Sequence, residues 1–196
     1  LKQANDNSTT LTNVFTGRPA RGIVNRIVRE IGPMTADAPA FPLAAEAMPQ
    51  VTENGRVYTF RIRKGIHFTP DPAFKGRKRE LVAADFAYTI KRHADPKNRS
   101  PWAFMVEGRI AGLDVLIEQA KKSGKFDYDA KIPGLETPDP YTLVIRLVAP
   151  DYLFNYTVAH APYGAIAREV VEAYGEDIGA HPVGTGPYVL KEWKRA

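Results

Sequence analysis

Cysteine is absent from the 196 residues, which excludes disulfides, thiol catalysis and thiolate metal sites together. No apolar run approaches the roughly 20 residues that a membrane-spanning helix requires. Leu1 to Thr10, rich in Asn, Ser and Thr, lacks the basic-then-apolar pattern of a secretory signal, so no signal peptide is expected in this chain. Catalytic motifs are missing as well. There is no Gly-x-Ser-x-Gly nucleophile elbow, no His-Glu-x-x-His zinc motif and no Gly-x-x-x-x-Gly-Lys-Ser/Thr phosphate loop. The four histidines, His67, His93, His160 and His181, lie far apart without metal-ligand spacing. Asp127 and Asp129 sit in a polar loop, where paired carboxylates more often solvate a turn than share a catalytic proton. The expectation is a protein with no catalytic residues, no metal and no cofactor.

What is present is ordinary for a folded chain: 44% hydrophobic and 25% charged residues, with length for one sizeable core or two small ones. A formal charge of +5 and a pI near 9.4 invite a nucleic-acid reading. The basic cluster of Lys75, Arg77, Lys78 and Arg79 is followed at once by Glu80, however, and acidic residues are scattered through the remainder. The run reads as a solvated loop, and no nucleic-acid partner is expected.

Periodicity predicts the elements. Ile23, Ile27, Val28 and Ile31 suggest a short helix. After Glu53, the Asn54-Gly55 pair supplies the positive φ angles of a tight turn, and the alternation of Tyr58, Phe60 and Ile62 with Thr59, Arg61 and Arg63 predicts the strand after it. Val82, Phe86 and Ile90 recur at helical spacing, with Asp85 early and Lys91, Arg92 and His93 late, as the helix dipole favours. Asp95-Pro96 through Ser100-Pro101 ends that helix. Leu113, Leu116, Ile117 and Ala120 mark a second helix, closed by Ser123-Gly124. Asp139-Pro140 signals a turn into a strand carrying Tyr141, Leu143, Ile145 and Leu147. Ile166, Val170, Ala173 and Tyr174 predict a helix stopped by Gly175, and a Gly184-Thr185-Gly186-Pro187 turn leads to a last strand, Tyr188 to Trp193. Strands and helices mix without regular alternation, which predicts an α/β or mixed α+β fold. Tyr152, Phe154, Tyr156 and Tyr163 surround an irregular region, where core packing is the default role of an aromatic. Trp102 and Tyr163 each adjoin a proline in a loop, where binding groups tend to be presented.

Several stretches, taken in order, resemble one family. They are Phe41-Pro-Leu-Ala-Ala-Glu, Asn54-Gly-Arg-Val-Tyr-Thr-Phe-Arg-Ile-Arg-Lys-Gly-Ile-His-Phe68, Leu81-Val-Ala-Ala-Asp-Phe-Ala-Tyr-Thr-Ile-Lys-Arg92, Ile110-Ala-Gly-Leu-Asp114, Thr137-Pro-Asp-Pro-Tyr-Thr-Leu-Val-Ile-Arg-Leu147 and Pro182-Val-Gly-Thr-Gly-Pro-Tyr-Val-Leu190. The chain from about residue 41 to 196 resembles family 5 of the bacterial extracellular solute-binding proteins, the oligopeptide and dipeptide binders of ABC importers. Thr69 to Arg79 departs from the short loop of the family pattern.

The resemblance implies a periplasmic-binding-protein type II-like fold, incomplete here. It divides the chain into an N-terminal segment, 1–19, a small family-specific α/β domain, 20–150, and part of the first ligand-binding lobe, 151–196. The second lobe and the groups that fix a peptide's amino end are expected outside this chain. The implied function is non-enzymatic: periplasmic capture of a small peptide by hinge closure, then delivery to an ABC permease in the inner membrane. Trp102, His160 and Tyr163 fall in segments that resemble the family's ligand-facing loops. Nickel complexes, haem or oligosaccharides are alternative cargoes; a nucleic-acid module or a hydrolase is the alternative from another class.

Overall fold

The computed structural model describes residues 44–186 together with four short strands among the first 42 residues. Those strands form two antiparallel pairs, β1 (Thr10–Thr12) with β2 (Pro19–Arg21) and β3 (Val28–Glu30) with β4 (Ala40–Pro42). The helix predicted across Ile23 to Ile31 is therefore corrected at Val28, which is strand. Val28 is β-branched, a side-chain type that favours extended backbone once a partner strand is available. The predicted strand Tyr188 to Trp193 lies outside the described residues.

The centre of the molecule is a four-stranded antiparallel sheet, ordered β5-β6-β8-β7, built from β5 (Gln50–Thr52), β6 (Val57–Arg61), β7 (Leu135–Asp139) and β8 (Thr142–Arg146). The β5-β6 hairpin turns through Glu53, Asn54 and Gly55, all at positive φ. On β6 and just beyond it, Tyr58, Phe60 and Ile62 are buried while Arg61 and Arg63 are exposed, as period-two patterning requires. Across the sheet, Tyr58 pairs with Ile145 and Phe60 with Leu143. β7 was not legible as a strand. It holds Glu136 and Pro138 and shifts register between Glu136 and Asp139, features tolerated because β7 is an edge.

Among the described residues, four α-helices accompany the sheet: α1 (Ala83–Ala94), α2 (Leu113–Ser123), α3 (Phe154–Ala159) and α4 (Arg168–Tyr174). α1 packs against β7 and β8 and ends where Asp95 takes up extended dihedrals before Pro96. α2 ends at Gly124, whose φ of 71° admits the left-handed cap and whose N–H donates to the Ala120 carbonyl at 2.8 Å. The region read as irregular around Phe154 contains α3, which buries Phe154 and Val158. Residues on both sides of position 150, from Phe60 and Phe86 to Phe154, Val158 and Val170, share one continuous buried cluster.

The loop entering β7 passes unusually close to the loop entering α2. A Cβ added to Gly134 would lie 2.3 Å from the Ala111 carbonyl oxygen and 2.5 Å from Ile110 Cγ2. At Gly124 it would meet nothing within 4 Å. Gly134→Ala is therefore expected to lower stability by about 2–4 kcal/mol through overpacking, and Gly124→Ala by about 1 kcal/mol through its positive φ alone. Urea unfolding midpoints of the two variants check the ranking.

Candidate functional site

α1 carries a polar stripe. Asp85, Thr89 and His93 recur every four residues and are buried, with 2%, 0% and 0% of their surface exposed. Each holds a point in the segment that runs from the end of α3 into α4. Asp85 accepts from the Arg79 guanidinium at 2.7 Å and from the Val82 N–H at 2.9 Å, and Arg79 donates onward to Glu169 at 2.8 Å. Thr89 Oγ1 accepts from the Ile166 N–H at 3.1 Å and lies 3.1 Å from the Gly164 carbonyl. His93 Nε2 lies 2.8 Å from the Pro162 carbonyl.

A carbonyl only accepts, so His93 Nε2 carries the proton and Nδ1 accepts from the Ser100 hydroxyl at 2.6 Å. Ser100 Oγ in turn accepts from the Trp102 backbone N–H at 3.2 Å. The Trp102 carbonyl accepts from the Tyr163 hydroxyl at 2.7 Å. The Tyr163 ring packs 4.7 Å from the His93 ring, and Trp102 meets His160 edge-on at 4.7 Å. The structure thus brings Trp102, His160 and Tyr163 together. Tyr163 is 1% exposed and faces the core, whereas Trp102 and His160 are half-buried at the edge. The indole Nε1 of Trp102 is buried without an acceptor among the described residues.

Two charge assignments read from sequence are corrected. Burial pushes His93 down to about 4, against a smaller upward pull from the bond to Pro162 and with Arg92 and His160 adding to the depression. His93 is thus neutral at physiological pH and is no cationic complement to the helix dipole. Lys91 stays a basic residue of the last turn and donates to the Tyr128 and Ala130 carbonyls at 2.8 and 2.7 Å. Arg79 is not part of a solvated run, because Asp85 and Glu169 hold it, whereas Lys75, Arg77 and Lys78 are exposed. Asp127 closes a turn by accepting from the Asp129 and Ala130 N–H groups.

The Ser100–His93 contact does not make a nucleophile and base. The imidazole has no exposed surface, both nitrogens are committed, and a value near 4 makes it a weak base at neutral pH. A separate groove of about 910 Å³ lies between α1, β7 and α4. Arg79, Lys91, Asp129, Arg168, Glu169 and Glu172 line it, and these charges are already bonded to one another or to backbone carbonyls. That groove includes none of Trp102, His160 and Tyr163. Among the described residues, no group of three or more His, Cys, Asp or Glu side chains is placed to hold a metal, and no helix is long and apolar enough to cross a membrane.

Comparison with known proteins adds a family. The model described as bacterial extracellular solute-binding proteins, family 5 Middle, matches residues 40–196. The glutathione-binding protein GsiB of Salmonella choleraesuis is 28% identical over 145 residues, covering 74% of this chain and 22% of that protein. The periplasmic oligopeptide-binding protein OppA of Escherichia coli K12 is 26% identical over 165 residues, covering 83% of this chain and 28% of that protein. The chain thus spans between 22% and 28% of the length of these curated relatives. Among solved structures, Haemophilus influenzae OppA in complex with RPPGFSPFR superposes with a TM-score of 0.69 at 22% identity, over 96% of this chain and 35% of that one. The substrate-binding domain of a Bacillus anthracis oligopeptide ABC transporter gives 0.67 at 24% identity, over 87% and 30%. These likenesses place the fold among type II periplasmic binding proteins, mixed α/β and partial, as the sequence leads one to expect.

Two measurements test the cluster. The unfolded chain binds a proton at His93 near 6.5 and the folded chain near 4, so the unfolded state holds more protons between those values. Stability is expected to be intact above about pH 6.5 and to fall by up to about 3 kcal/mol as pH drops to about 4; His93→Leu should flatten that slope in urea unfolding. Tyr163→Phe, which leaves the Trp102 carbonyl without its donor, is expected to cost about 1 kcal/mol.

Proposed function

The chain belongs to family 5 of the bacterial extracellular solute-binding proteins, and from that premise we propose that the protein it forms part of is a periplasmic receptor for peptides. Ligand binding favours a closed, hinge-bent state, which an ABC permease in the inner membrane recognises and unloads. The family match across residues 40–196 carries this reading.

The ligand class follows from what the matched proteins are named for. GsiB is a glutathione-binding protein, OppA an oligopeptide-binding protein, and one matched structure holds the nonapeptide RPPGFSPFR. What these ligands share is a peptide main chain with both donors and acceptors. Trp102 and His160 suit such a ligand: an amphipathic aromatic edge gives contact area at low conformational cost, and the two rings meet edge-on in half-buried positions. Tyr163 serves from beneath by holding the Trp102 carbonyl. Residues 20–150 act as the small family-specific domain and 151–196 as part of the ligand-binding lobe.

Thermal unfolding of the full-length protein tests the proposal, because a ligand that binds only the native state raises the midpoint. Glutathione, RPPGFSPFR and mixed tripeptides are expected to raise it, while nickel chelates, haem and oligosaccharides leave it unchanged. Trp102→Ala is expected to weaken peptide affinity about tenfold, the equivalent of about 1.4 kcal/mol. A midpoint that responds to a chelate or a sugar and ignores every peptide would refute the peptide reading.

A further inference from the structure

We infer that His93 is a positioning residue for the ligand-facing aromatic edge: one buried imidazole sets where both Trp102 and the His160–Tyr163 loop stand. The imidazole has no exposed surface, so its influence on that edge runs through the groups it bonds. Its Nδ1 holds Ser100, whose hydroxyl oxygen holds the Trp102 backbone N–H. Its Nε2 holds the Pro162 carbonyl, between His160 and Tyr163. Its ring face packs on Tyr163, whose hydroxyl returns to the Trp102 carbonyl. The amide N–H and the carbonyl of Trp102 are therefore both keyed to the same imidazole, by two routes that arrive from different loops.

Neither loop has a regular element to fix it by itself. Ser100 and Trp102 sit in a turn between two 3-10 segments, Pro96–Asn98 and Ala103–Met105, and Pro162 lies in a 3-10 turn of three residues, Ala161–Tyr163. α1 is the rigid body common to both, and His93 stands one residue before its end. Apolar packing at this position would press the loops together without choosing their registry, because burial is non-directional. Two hydrogen bonds at 2.6 and 2.8 Å to opposite ends of one planar ring do choose it.

The two nitrogens can be separated by substitution. The Asn carboxamide places its acceptor near the Nδ1 position and so keeps Ser100, whereas Gln places its donor near Nε2 and so keeps Pro162. The experiment uses the full-length protein labelled with 5-fluorotryptophan, in which the Trp102 fluorine signal is assigned by its loss in Trp102→Phe. His93→Leu and Ser100→Ala are each expected to displace or split that signal. His93→Asn should return it towards the parent position, and His93→Gln should not. Ile90→Ala, which opens a cavity one turn back on the same helix, is the control for general destabilisation and should leave the signal in place. Should His93→Leu fail to fold, Ser100→Ala and the Asn–Gln pair carry the test. An unmoved signal in Ser100→Ala and His93→Gln, or an equal displacement in Ile90→Ala, overturns the inference.

The consequence for binding rests on the peptide-receptor reading and has its own readout. Affinity for RPPGFSPFR, measured by equilibrium dialysis, is expected to fall five- to tenfold in His93→Gln and to stay within twofold in His93→Asn. If the parent protein does not bind RPPGFSPFR, the receptor reading fails for that peptide, and the fluorine signal alone decides whether His93 positions Trp102.

Discussion

A buried polar group that loses its partner costs about 1–3 kcal/mol, more than most single apolar contacts contribute. Asp85, Thr89 and His93 place three such groups on one side of α1, next to the apolar side formed by Phe86 and Ile90. The apolar side brings α1 onto the sheet and would accept small slides along it. The polar stripe forbids them, because a displacement of one turn would leave Arg79, Ile166 and Pro162 facing the wrong groups. The path from the end of α3 into α4, and with it the placement of His160 and Tyr163, follows from this registry.

The best-read parts of the sequence were those where one physical effect dominates. β6 and β8 alternate cleanly because one face meets the core, and α2 shows its stripe because the other side is solvated. β7 was lost because an edge strand needs little apolar content and tolerates Pro138. α3, at six residues, is shorter than two turns and rich in aromatics, so no period develops. α1 shows its apolar spacing and its charge order in the sequence, but not its depth: nearly every residue along it is buried, including Lys91, Arg92 and His93.

The candidate site divides the same way. Loop position and the proline neighbours marked Trp102 and Tyr163, and the family pattern added His160. Sequence could not say which ring faces outward, since that depends on contacts between residues about sixty positions apart, such as Tyr163 with Trp102. Asp85, Thr89 and His93 recur at the spacing of a helix face adjacent to the apolar one, and polar residues at that interval beside a hydrophobic stripe deserve to be tested as buried partners.

The middle of the sheet has a further consequence, for the order in which the molecule assembles. β6 and β8 are neighbours in space, yet Arg61 and Thr142 stand 81 positions apart. The hairpin of β5 and β6 closes through residues adjacent in sequence, whereas the central pairing requires the ends of a long loop to meet. During synthesis from the N-terminus, β6 therefore emerges well before its partner and presents Tyr58, Phe60 and an open row of backbone groups until β8 arrives. That interval is when this chain is most exposed to pairing with a neighbour, so β8 serves as the closing strand, protecting the nascent sheet from association as well as completing the core.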